Sequence, residues 1–159
     1  YLGACFYSCY VVFINLYPMM YKSKIMQGGS IRSNMFFFQS LAANGSKSAV
    51  ALDNEGEVGK YNRANRTNWH FLENSTPMWI GIIMNGFVFP APTFFVTLLY
   101  CIGRVIYTVG YTEGGYGKHA PGYIIDRLCT SAMMGMYLYI TIRGFEKAPR
   151  GSSLSSLLN

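Results

Sequence analysis

Four long apolar runs constrain this chain more than anything else in it. They fall at about residues 1–21, 76–89, 91–111 and 122–142, and each approaches the roughly 20 residues that a helix needs to cross a hydrocarbon layer about 30 Å thick. A soluble helical core shows shorter, amphipathic runs. Only 13% of the 159 residues are charged and 51% are hydrophobic, too little charge to coat an ordinary soluble domain of this size, so lipid covers much of the surface. The chain therefore reads as an all-α membrane protein, one domain built as a four-transmembrane-helix bundle. The second run is short, and the helix-compatible residues 61–75 before it extend the span to about 62–89. Pro90-Ala91-Pro92 then forces a tight turn, which makes spans two and three an antiparallel hairpin.

Residues 22–60 read as one long loop, rich in Gly, Ser, Asn and Ala and closed by Asp53, Glu55 and Glu57. Its apolar cluster Phe36-Phe37-Phe38 is expected to dip into lipid or to touch a partner. The tail, 144–159, is Ser- and Leu-rich and reads as mobile. Lys22, Lys24, Arg32, Lys47, Lys60, Arg63, Arg66 and Lys118 fall on one membrane face, against Arg143, Lys147 and Arg150 on the other. That asymmetry puts the one-to-two and three-to-four loops inside and the C-terminus outside. It also accounts for the net charge of +6 without nucleic acid, since no basic run interleaves with aromatics as an RNA-binding surface would. Tyr1 is not an initiator methionine, so a targeting peptide would lie outside this sequence. Cys5, Cys9, Cys101 and Cys129 fall in the spans, none in a Cys-x-x-Cys spacing, and read as lipid-facing or packing residues.

Ionisable residues at membrane depth are the informative ones, because a charge there costs several kcal/mol unless it is paired or bathed in water. Arg104, in the middle of span three, is the clearest. It shares a helix face with Tyr107 and, less tightly, Tyr111, and Gly103 and Gly110 lie seven apart on the neighbouring face. In span two Arg63, Arg66, His70 and Glu73 recur at three- and four-residue spacing, so one face carries cations and a carboxylate. Glu73 could pair with Arg66, with Arg104 or with a ligand amine. A structural arginine and a solvated interfacial helix explain Arg104 and Arg63 without a site; Arg66 together with Glu73 points to a polar groove opening to the inside face. Asp126-Arg127 reads as an interfacial ion pair at the mouth of span four. The glycine-rich segment 112–119 is able to wrap a ligand but also serves as a plain connector. Two histidines, His70 and His119, without a third ligand do not make a metal site.

The strings YNRANRTNWHFLENSTPMW, GFVFPAP and YCIGRVIYTVGYTEGGYGKHAPGY resemble the MAPEG superfamily, closest to its microsomal glutathione transferase type three branch, over about residues 61–123. The resemblance implies a trimer of four-helix protomers in the endoplasmic reticulum or a mitochondrial membrane. It also implies glutathione bound at the cytosolic end and lipophilic electrophiles or lipid hydroperoxides arriving from the bilayer. Matched position by position, Arg66, Asn68, His70 and Glu73 of the second helix and Tyr107 and Tyr111 of the third are the expected glutathione contacts. These groups suit two carboxylates, an ammonium and amides. The family's loop arginine, which holds the thiolate, is replaced at the best-aligned position by His119, with Lys118 beside it. These two are the candidate catalytic cations. His70 stands where the family commonly has asparagine.

Two functions fit these residues. One is a membrane glutathione transferase or peroxidase with an altered catalytic loop. The other is a non-catalytic relative acting as a structural subunit of a larger organellar membrane complex, such as a respiratory one, with the long loop and Phe cluster as docking elements. A lipid-binding accessory protein that keeps the lipid cleft without sulfur chemistry is a third.

Overall fold

The computed structural model describes residues 1–25, 35–43 and 46–147. Four helices form the body: α1 (Leu2–Ile25), α2 (Gly56–Val88), α3 (Pro90–Gly114) and α4 (Ala120–Lys147), with strands β1 (Phe38–Ala43) and β2 (Ser46–Leu52) between α1 and α2. The glycine-rich start of the long loop, Arg32 and the tail beyond residue 147 lie outside the described residues. α1 and α3, 24 and 25 residues long, are each long and apolar enough to cross a membrane. At 1.5 Å per residue they reach about 36 Å.

The helices are turned inside out relative to a soluble bundle. Their outer faces carry Phe6, Leu16, Ile83, Phe87, Phe95, Ile102, Leu128 and Leu138, all exposed, and Asn62, Asn65, Asn85, Thr97, Thr108, Arg104 and Asp126 are fully buried. α1 shows how the pattern arises. Its large buried side chains Tyr7, Tyr10, Ile14, Tyr17 and Tyr21 recur every three or four positions, one continuous stripe on a 3.6-residue helix. The stripe packs rings against the neighbouring helices: Tyr7 lies edge-on to Trp79 at 4.7 Å and Tyr10 edge-on to Phe71 at 5.1 Å.

The proline turn is as tight as the sequence demands. Phe89 alone separates α2 from α3, and Pro90 opens α3 at the position where its missing N–H leaves no bond unmade. At the other end of α3, Gly115 (φ 74°) caps the helix by donating its N–H to Tyr111 O at 2.9 Å, the left-handed conformation that favours glycine there. The connector to α4 is consequently a short hydrogen-bonded turn, with Ala120 N–H donating to Gly117 O at 3.2 Å.

The segment read as a single loop contains structure. β1 and β2 pair antiparallel, with Phe38 opposite Leu52 and Ser40 opposite Val50. α2 also begins earlier than the sequence suggests, at Gly56. The hairpin is tied to α2 by Asn62, whose Nδ2 donates to Phe37 O at 2.8 Å and Asp53 O at 2.7 Å while its Oδ1 accepts the Phe37 N–H at 3.0 Å. Phe37 rests edge-on against Tyr61 at 5.6 Å. One ring of the Phe cluster therefore docks on its own chain, and Phe38 stays 62% exposed.

Candidate functional site

The α3–α4 approach sets up the site. A Cβ on Gly122 would meet Tyr107 N, and one on Gly103 would come within 2.5 Å of Ile125 Cγ2, so the helices touch backbone to backbone where both residues lack side chains. This closeness places Asp126, one turn along α4, against Arg104.

Arg104 is fully buried. Its Nη1 donates to Asp126 Oδ2 at 3.1 Å and to His70 Nδ1 at 3.1 Å, and its Nη2 donates to Thr67 O at 3.4 Å. An arginine N–H only donates, so His70 accepts at Nδ1 and carries its proton on Nε2. The guanidinium also stands 4.7 Å from the centroid of the Tyr107 ring. Arg127 reaches the same carboxylate from the side, at 3.1 Å to Oδ2 and 3.2 Å to Oδ1, and Thr130 Oγ1 donates to Oδ1 at 3.3 Å.

The sequence offered Glu73 as a partner for Arg104 and treated Asp126 as an interfacial residue. Asp126 is instead fully buried and holds both arginines. Glu73 lies on an exposed face of α2 and takes no ion pair among the described residues. Asp126 lies one turn past a glycine that faces the Gly103-Arg104 pair, but Glu73 on α2 and Glu146 at the far end of α4 left the choice of carboxylate open in the sequence.

From Arg104 a set of rings leads outward. His70 stacks on Tyr107 at 5.1 Å and 18°, Tyr107 lies 6.2 Å from Tyr111, and His119 sits edge-on to Tyr107 at 5.1 Å and to Tyr111 at 5.3 Å. Tyr116, which drew no attention in the sequence, closes the set at 5.4 Å from His119. His119 Nδ1 is buried and has no hydrogen-bond partner among the described residues.

Arg66 and Glu73 are exposed and take no ion pair among the described residues; on α2 they stand four residues before and three residues after His70, about one turn to either side of it. Asn68 turns away, donating through Nδ2 to Asn15 Oδ1 of α1 at 3.4 Å. Lys118 is exposed, with its stem over Gly114 and its carbonyl against Gly110. Of the residues selected from sequence, the structure gathers His70, Tyr107, Tyr111 and His119 into contact and leaves Arg66 and Glu73 exposed on α2, about one turn to either side of His70. It sets Asn68 and the Lys118 stem apart.

The surrounding surface is charged on both sides. Glu113, at the end of α3, accepts a hydrogen bond from Tyr21 of α1 and pairs with Lys60 of α2 at 3.2 Å, and Lys60 and Lys24 both reach Glu57, at 3.6 and 3.5 Å. Arg63 Nε donates to Thr112 O at 2.9 Å. The hydrogen bond from Tyr21 and the Lys60 ammonium hold the Glu113 carboxyl below the usual carboxylate range.

A family model described as MAPEG family matches residues 9–139. No curated protein and no solved structure matches the chain.

Proposed function

The chain belongs to the MAPEG family and is an integral membrane protein, and we propose from that premise that it is a membrane-bound glutathione transferase or peroxidase acting on lipophilic electrophiles or lipid hydroperoxides. All four helices span the bilayer in this reading, because each presents exposed apolar residues outward. The end bearing Lys24, Lys60, Arg63 and Lys118 faces inward by its positive charge.

The observation that carries the function is the His119 imidazole, held edge-on between Tyr107 and Tyr111, with Arg66 and Glu73, neither in an ion pair among the described residues, exposed on α2 about one turn to either side of His70. Glutathione fits these groups: its carboxylates suit Arg66, its ammonium suits Glu73, and its amides suit the two phenols. Bound glutathione supplies a thiol, which is mostly protonated at neutral pH and nucleophilic only as the thiolate. The His119 imidazole is the group placed to take that proton, and the resulting imidazolium is the cation that keeps the charge on sulfur. Tyr107 and Tyr111 hold the imidazole in place through their faces. Arg104 fixes His70 and the Tyr107 ring, so the tyrosine wall rests on a buried ion pair rather than on solvent-exposed side chains. Lys118 lies off to the side and acts only through its field.

Isothermal titration of detergent-purified protein with glutathione tests this reading. Wild type binds, and Arg66→Ala and Glu73→Gln each weaken binding by about tenfold, the loss of one charge-assisted hydrogen bond of about 1.4 kcal/mol. Heat release indistinguishable from buffer in wild type would remove glutathione from the account.

One observation favours the second reading, a non-catalytic subunit of a larger membrane complex. The β hairpin presents Phe38 and Val50, 62% and 71% exposed, on one face, since Val50 pairs with Ser40 two residues beyond Phe38. Such a surface suits a protein partner. Glutathione binding to the isolated protein separates the two.

A further inference from the structure

Two guanidinium groups share one carboxylate. Arg104 and Arg127 each reach Asp126 Oδ2 at 3.1 Å, and His70, which accepts from Arg104 at Nδ1, is neutral in that role, so this cluster keeps one positive charge in excess. Glu73 adjoins it through Asn74 but is exposed and takes no ion pair among the described residues. A charge left over at membrane depth is costly.

The excess sits where a ligand can reach it. The Arg104 side chain is 0% exposed and that of Arg127 is 37% exposed. Arg127 donates through Nη1 to Asn74 Oδ1 at 3.4 Å and through Nη2 to both Asp126 oxygens. An arginine has more N–H donors than these three bonds use. Its guanidinium stands 5.5 Å from the centroid of the Tyr123 ring, and Tyr123, Ile124 and Leu128 beside it on α4 are all exposed, so it opens on the side of the helix that meets lipid. The 28 residues of α4 rise about 42 Å, close to the thickness of hydrocarbon and headgroups together. Arg127, about 10 Å from the start of α4, therefore lies near the boundary between headgroups and chains.

We propose that Arg127, with Asn74 beside it, binds the anionic head of a membrane lipid, a phosphate or carboxylate, whose chain runs deeper past Leu128. The forked guanidinium suits two oxygens of such a group, and a basic pocket between helices at this level is where an anionic head is recognised. An uncharged head leaves the excess charge uncompensated. The inference rests on α4 crossing the bilayer, as proposed above, and not on glutathione binding.

Photolabelling of the full chain in neutral detergent tests it, with a diazirine-bearing long-chain fatty acid in its ionised form, the matching alcohol and a headless hydrocarbon diazirine, and with adducts mapped by peptide mass spectrometry. The hydrocarbon labels the exposed face of α4 in wild type; its failure to do so removes the spanning reading and this site with it. The fatty acid labels α4 close to Arg127 more strongly than the alcohol does, a comparison that needs no variant. Arg127→Gln leaves Arg104 and Asp126 as a neutral pair, melts like wild type and loses the acid's labelling by roughly tenfold, the effect of one charge-assisted contact, whereas Arg127→Lys retains most of it. Displacement of the probe by less phosphatidylglycerol than unlabelled fatty acid assigns the head to a bilayer phospholipid, and the reverse order assigns it to a free fatty acid. Equal labelling by acid and alcohol near Arg127, labelling of a folded Arg127→Gln equal to wild type, or displacement by neither competitor overturns the proposal.

Discussion

Asp126 answers two arginines at once, and its neighbours leave it no exit to water. Removing one member of a fully buried pair leaves the other charge uncompensated, which costs about 3–5 kcal/mol. Asp126→Asn should therefore lower stability by about that much in a denaturant titration. Arg104→Met combined with Asp126→Leu should cost much less than either single change, because no charge is then left alone in the core. Arg104 itself was legible in the sequence as an arginine at membrane depth beside Tyr107. Its partner was not, because Asp126 and Glu73 are equally acidic on paper and only the close α3–α4 contact at Gly103 and Gly122 decides between them. His119 was legible through its place in the connector, but its seat between Tyr107 and Tyr111 depends on the short turn at Gly115 and Gly117, which the composition alone left open between a flexible connector and a ligand-wrapping loop.

At the scale of elements, the glycine contact is what allows α3 and α4 to share the ion pair. Gly122→Ala should separate the helices and cost about 1–3 kcal/mol, the usual range for overpacking, with loss of hydrogen-exchange protection concentrated around residues 103–107. The hairpin is a weaker unit that borrows its place from α2. Asn62→Leu removes three hydrogen bonds to Phe37 and Asp53, and hydrogen exchange in β1 and β2 should accelerate while the helices keep their protection. No alternating run announced these strands: among residues 38–52 only Val50 is β-branched, and the pairing is stabilised by docking onto α2 rather than by strand propensity.

Charge ties the same end together. The Glu113 carboxyl is depressed by its bonds to Tyr21 and Lys60, so its contribution is present above the ordinary carboxylate pKa and lost as pH falls through the depressed value in the folded state. Lys60 is raised, first through its bond to Glu113, so its contribution is present below the ordinary lysine pKa and lost as pH rises through the raised value. The Tm of wild type should therefore fall at both acidic and alkaline extremes, and that of Glu113→Gln should change less with pH at each.

Across the whole molecule, the distribution of polarity decides the environment. Polar groups converge inside and apolar ones face out, the arrangement that a bilayer stabilises and water does not. The apolar runs and the proline turn made this architecture readable, since length and hydrophobicity are one-dimensional properties; which polar groups meet is three-dimensional and was not. Family membership and the exposed apolar faces lead us to expect an assembly of three copies, and native mass spectrometry should resolve three times the 17.8 kDa protomer. The most direct measurement is conjugation of glutathione to a small aromatic electrophile by purified wild type, His119→Ala and Lys118→Ala. The site as described gives a wild-type rate above the uncatalysed background, a loss of at least tenfold in His119→Ala and less than threefold in Lys118→Ala. A wild-type rate at background from folded protein that melts normally would contradict it, and so would a rate carried by Lys118 and indifferent to His119.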